Sequence, residues 1–166
     1  MKKLWFLTVA GLYLLAACNN SKKDEGKKEE QTVSADTSHK MPMQNVPELP
    51  AVPAGSKVEF KSPANNATVS SPFKIEMNAV GIRVDTAGPV IPGVGHHHLI
   101  VDAEDFLPTG EMTPKDSTHI HFGKGQTEYT ISLPPGKHKL ALQFADGLHR
   151  SYGQQLSATI TVNVKK

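Results

Sequence analysis

Two short strings hold most of the side chains in this 166-residue chain that can do chemistry: "GHHHLIVD" at residues 95 to 102 and "HIH" at 119 to 121. Of eight histidines, seven fall in the C-terminal part of the chain: His96, His97, His98, His119, His121, His138 and His149. A neutral imidazole offers a lone pair near physiological pH and suits both Zn(II) and Cu(II). In an extended strand, residues two apart share a face at about 7 Å separation. His96 and His98 therefore project together, as do His119 and His121, and two imidazoles so placed can share one tetrahedral or tetragonal ion. The only cysteine is Cys18, so neither a disulfide nor a cysteine thiolate takes part. The expected ligand set is His96, His98, His121 and His149, on Cu(II) or Zn(II), with His97, His119 and Asp102 as further candidates.

The elements that must position these rings read as strands. Runs start at residues 57 ("KVEF"), 73 ("FKIEMNAV"), 96 ("HHHLIVDA"), 127 ("TEYTISL"), 137 ("KHKLALQFA") and 157 ("SATITVNVK"), with turn signals "PANNA", "PPG" and "ADG" between them. Period-two alternation, as in Leu140, Leu142 and Phe144 against Ala141 and Gln143, predicts one buried face per strand. The fold expected for residues 56–166 is an all-β, immunoglobulin-like β-sandwich. In that topology the strand starting at His96 runs antiparallel to the strand ending near Ala145. His96 and His98 then approach the loop "DGLHRSYG" and its His149, while His138 falls at the far end. Whether His119 and His121 join depends on the path of residues 103–118, which the pattern does not place.

The first part of the chain reads differently. Residues 1–17 carry two lysines, an apolar run and small residues before Cys18, the layout of a secretion signal. "LAAC" resembles a lipoprotein cleavage box, which implies lipidation of Cys18 and a bacterial cell envelope location, anchored to the outer membrane. Residues 18–55, dense in mixed charge and then proline-rich, read as a disordered tether. Its start, Ser21 to Glu25, resembles an export signal to the cell surface, and His39, Met41 and Met43 form a softer ligand set suited to Cu(I). The formal excess of +2 equals Lys2 and Lys3, lost with the signal, so the mature protein is expected to be near neutral and nucleic acid is not an expected partner.

Other readings compete with a metal site. An adhesion or ligand-binding module would use its loops, with Arg150 and Tyr152 for recognition and the histidines purely structural. In that case His97 would be a buried imidazole satisfied by a carbonyl, and His119 and His149 would bond turns. "HIHFG" superficially resembles the His-x-His strand of copper–zinc superoxide dismutase, but the cysteine pair and zinc loop of that family are missing. No nucleophile and base are arranged for catalysis, so a binding protein is expected rather than an enzyme.

The strings "GHHHLIVD" and "HIHFGKGQTEYTISLPPGKHKLALQFADGLH" resemble the bacterial family named domain of unknown function 4399. The resemblance implies an exported, often lipid-anchored single domain with no established activity. Its characteristic positions carry over here to Gly95, His96, His97, His98, Asp102, His121, Gly123, Gly125, Asp146 and His149 among others. They include His138, which implies a separate role for that residue at the other end of the domain.

Overall fold

The computed structural model describes residues 46–166. The signal segment, Cys18, the Ser21 to Glu25 run and the His39, Met41 and Met43 set lie outside the described residues. Nine strands follow one another: β1 (Lys57–Ser62), β2 (Ala67–Val69), β3 (Phe73–Val80), β4 (Arg83–Val84), β5 (Val94–Val101), β6 (His119–His121), β7 (Glu128–Ile131), β8 (Gly136–Ala145) and β9 (Ser157–Val164). A 3-10 turn at Gly153–Leu156 precedes β9, and no α-helix occurs among the described residues. One sheet has the order β1-β3-β7; the other has the order β2-β9-β8-β5-β4, with β6 also pairing β5. Val58, Ile75, Met77, Leu99, Leu140, Leu142, Phe144 and Val162 form the core between them. Burial of each large apolar side chain stabilises by about 1.5–3 kcal/mol. The protein is an immunoglobulin-like β-sandwich, as its alternating runs predicted.

All six expected runs are strands. Outside those runs lie β2, β4 and β6, of three, two and three residues, which are too short to show a period. Two expectations need correction. β8 was read as buried on one face, yet Ala141 and Gln143 are as fully buried as Leu140 and Leu142, and the same holds for both faces of β5. The cause is the connection over residues 102–118, which folds back across the second face. Leu107 packs there with Ile100 and Ala141, its amide donates to Gln143 Oε1 at 3.0 Å, and its carbonyl accepts from Ser151 Oγ at 2.9 Å. The second correction concerns the start of the packed domain. Leu49 and Val52 pack against the core, and Arg150 Nη1 donates to the Pro47 carbonyl at 2.6 Å, so packing begins before residue 56.

Candidate metal centre

Strand register decides which histidines meet. In the β5–β8 pair, His96 lies opposite Ala145, so the start of β5 adjoins the loop that leaves β8. On its other edge β5 takes β6 antiparallel, with His98 opposite His121 and Ile100 opposite His119. The long connection thus returns the second His-x-His unit to the side of the first, which the sequence left open.

Four imidazoles converge: His96, His98, His121 and His149. Their ring centroids lie 4.7 to 5.9 Å apart in every pairing. His96 Nε2 faces His98 Nε2 at 3.0 Å, and His121 Nε2 faces His149 Nε2 at 3.1 Å. Ligand atoms of His96, His121 and His149 all lie within 4.8 Å of one another, a group that can hold a metal ion. The site has a dry floor, since His96 and His98 are 0% and 1% exposed. Its rim is open, with His121 exposed and His149 half-buried.

The electrostatics favour neutral rings. Burial, followed by the neighbouring His149 and His121, pushes the His96 pKa down to about 4 despite the opposing charge of Asp146. His98 is lowered further, by burial first and then by His96, His121 and His149. His121 is lowered by burial, His149 and Lys115. The buried Nδ1 atoms of His96 and His98 have no hydrogen-bond partner. Two neutral rings that meet through Nε2 share one proton, so in the free protein one of them must leave a buried N–H at Nδ1 unpaired, at a cost of about 1–3 kcal/mol. A cation accepts both Nε2 lone pairs together.

Local sequence shapes the rim. A Cβ at Gly123 would overlap the His121 ring, so only glycine leaves room for that imidazole. His149 sits at φ 69°, a left-handed conformation that costs a non-glycine residue energy and is met at functional sites. Asp146, fully buried, imposes it. Its Oδ1 accepts from the amides of Leu148 and Arg150, each at 2.9 Å, and its Oδ2 accepts from Arg150 Nε at 2.8 Å. "ADG" was read as a turn only, and the role of Asp146 was missed. The available signal was an arginine four residues downstream.

Three of the further candidates stand elsewhere. His97 faces the core, edge-on to Phe144 at 5.2 Å, and neither ring nitrogen has a partner. It is therefore not bonded to a carbonyl as the architectural reading held. His119 has both nitrogens engaged, Nδ1 with Asp116 Oδ1 at 2.8 Å and Nε2 with Glu104 Oε1 at 2.9 Å. Asp102 lies at the far end of β5, where its Oδ2 pairs with His138 Nδ1 at 2.7 Å and its Oδ1 accepts from the Lys139 amide at 2.8 Å. His138 Nε2 reaches the Pro134 carbonyl at 2.9 Å, in keeping with its exclusion from the cluster. The proposed recognition pair is also committed internally. Arg150 is bound to Asp146 and Pro47, and Tyr152 is 5% exposed.

Comparison with curated proteins and with solved structures returns no significant match. A family model spanning more than half of the chain, residues 75–165, does match and covers all seven histidines of the domain, so the chain belongs to the family described as Domain of unknown function (DUF4399).

Proposed function

We propose that this chain is a metal-binding protein of the bacterial cell envelope, lipid-anchored through Cys18, that holds one Cu(II) or Zn(II) ion on the Nε2 atoms of His96, His98, His121 and His149. The observation that carries this reading is the pair of Nε2 to Nε2 separations, 3.0 and 3.1 Å, within one cluster. An ion about 2.0–2.1 Å from each nitrogen sets two ligands roughly 2.9 Å apart at a right angle and roughly 3.4 Å apart at a tetrahedral angle. Both pairs fall in that interval. Without metal each Nε2 pair can share only one proton between its two rings, whereas a single cation accepts both lone pairs of each pair, with the ring protons on Nδ1.

Imidazole suits both ions, and the usual affinity order makes Cu(II) the tighter. Proton competition is weakened at the floor, because His96 stays neutral down to about pH 4. Acid release near pH 5 is therefore expected to take up fewer protons per ion than the roughly four that four free imidazoles would take up. The test is native mass spectrometry of untagged protein from residue 19 onward, stripped by chelator and titrated with Cu(II) and Zn(II) at neutral pH. The expected result is one ion per chain at micromolar metal, lost in the His96→Ala/His98→Ala double variant. Binding that survives in that variant, or no binding by the native sequence, refutes the proposal.

A further inference from the structure

A second group of charged side chains stands at the other end of the sheet. There the start of β8 pairs with the end of β9, with Gly136 opposite Val164 and Lys139 opposite Thr161. An open cavity of about 270 Å³ is lined by Asp102, Lys137, His138, Lys139 and Thr161. Drug-sized ligands fill pockets of about 300 Å³ and more, so an occupant of this one is smaller. Strand alternation puts Lys137 and Lys139 on one face, about 7 Å apart, and the register puts Thr161 on that same face.

The lining groups differ in what they have left to offer. Asp102 ends β5 at φ 55°, a left-handed conformation that aspartate visits more readily than most residues. Both its oxygens are spent, Oδ2 on His138 Nδ1 at 2.7 Å and Oδ1 on the Lys139 amide at 2.8 Å. His138 Nε2 meets the Pro134 carbonyl at 2.9 Å, so each ring nitrogen faces an acceptor, the arrangement that suits the doubly protonated, cationic ring. Lys139 Nζ pairs with Asp105 at 2.8 Å, which leaves two of its three donors. Thr161 uses its amide on Asn65 Oδ1 at 2.9 Å, and its hydroxyl has no partner among the described residues. Lys137 is exposed and forms no ion pair among the described residues. Three cationic side chains thus face two carboxylates that are already paired.

We infer that this cavity binds a phosphate group, carried by a small phosphate monoester or by a phospholipid headgroup, with Lys137 and Lys139 as ammonium partners and Thr161 as hydroxyl donor. A phosphate supplies three acceptor oxygens and nearly two negative charges, matching two ammonium groups and a hydroxyl; a carboxylate supplies two oxygens and one charge. Lysine binds phosphate as a point charge, which an exposed and flexible side chain can do. None of the five lining residues belongs to the imidazole cluster, so the inference stands apart from the metal reading.

The experiment uses metal-free, 15N-labelled protein from residue 19 onward, titrated with glycerol 3-phosphate at constant ionic strength and followed by amide NMR. A parallel arm measures cosedimentation with phosphatidylcholine vesicles with and without phosphatidic acid; this protein lacks Cys18, so a lipid anchor does not contribute. The amides of Lys137, Lys139 and Thr161 should shift saturably while those of His96, His98, His121 and His149 stay in place. In Lys137→Glu the affinity should fall about tenfold, as reversing a charge beside a dianion predicts. Thr161→Val, which removes one hydrogen bond, should weaken it about two- to tenfold. Saturable shifts with the free ester assign a soluble ligand; cosedimentation that needs phosphatidic acid and is lost in Lys137→Glu assigns a headgroup. Binding of neither probe, equal affinity in Lys137→Glu, or shifts scattered over lysines outside the cavity would overturn the site.

Discussion

His96 and His98 on one side, His119 and His138 on the other, are buried histidines of the same sheet whose pKa values are pushed in opposite directions. Each nitrogen of His119 and His138 meets a carboxylate or a carbonyl. For His119, burial opposes the charge but Asp116 and Glu104 overcome it; for His138, Asp102 and then the Pro134 carbonyl raise the pKa outright against burial. The cluster rings have no such acceptors and are held neutral, with Nε2 atoms turned toward one another. Buried histidines of one sheet thus have a raised pKa where an acidic partner clamps the ring and a lowered one where burial is deeper and that partner is withheld. His96 and His98 differ from His119 and His138 in having no carboxylate on the ring and a second imidazole within reach of Nε2.

Several changes would break or sharpen that contrast. The largest expected effect is at Asp146, the buried carboxylate whose charge reaches His96. Asp146→Ala leaves Arg150 unpaired and releases the loop that holds His149, and breaking a buried ion pair of this kind costs about 3 kcal/mol or more. Chemical denaturation of the metal-free variant measures it, and metal affinity should fall in parallel.

Acid comes next. His96 and His97 both have folded pKa values pushed down to about 4, by burial first, so the unfolded chain binds their protons before the native state does. Stability from these groups is therefore complete above about pH 6.5 and lost as pH falls toward 4, at about 2 kcal/mol per histidine by pH 5. Denaturant midpoints of the metal-free protein between pH 7 and 4 should show this slope, His97→Leu should reduce it, and saturating Zn(II) should delay it.

Gly123→Ala acts on the rim alone. Its Cβ would displace the His121 ring, so calorimetry should show metal affinity falling by about 10- to 100-fold with little change in metal-free stability.

The smallest effect is expected at the clamp. Asp102→Asn should cost about 1 kcal/mol, since the pair is partly exposed. Because His138 is raised, that cost is full below about pH 6.5 and shrinks as pH rises through its folded pKa. Metal affinity should not change.

Much of this was legible in the residues themselves. Alternation in "KLALQF" and "EYTISL" marks strands, and an antiparallel β5–β8 pairing brings His96 to the loop of His149 without any coordinates. The second face of the sheet was not legible, because its cover hangs on one residue, Leu107, in a connection with no periodicity. Nor was the split between His119 and His121, which share a strand and a face. It is made by Asp116, three residues away, and Glu104, fifteen residues away across that same connection. His97 is buried, as one of its two readings expects, but a side chain's neighbours across a sandwich are set by packing, and those neighbours give it no acceptor.

The contrast between cluster and clamp is tested most directly by long-range 1H–15N NMR of the histidine side chains, recorded without metal and with one equivalent of Zn(II). The Nε2 resonances of His96, His98, His121 and His149 should move together to ligated positions while those of His97, His119 and His138 stay where they are. Movement of His119 or His138, or none among the four, would contradict it.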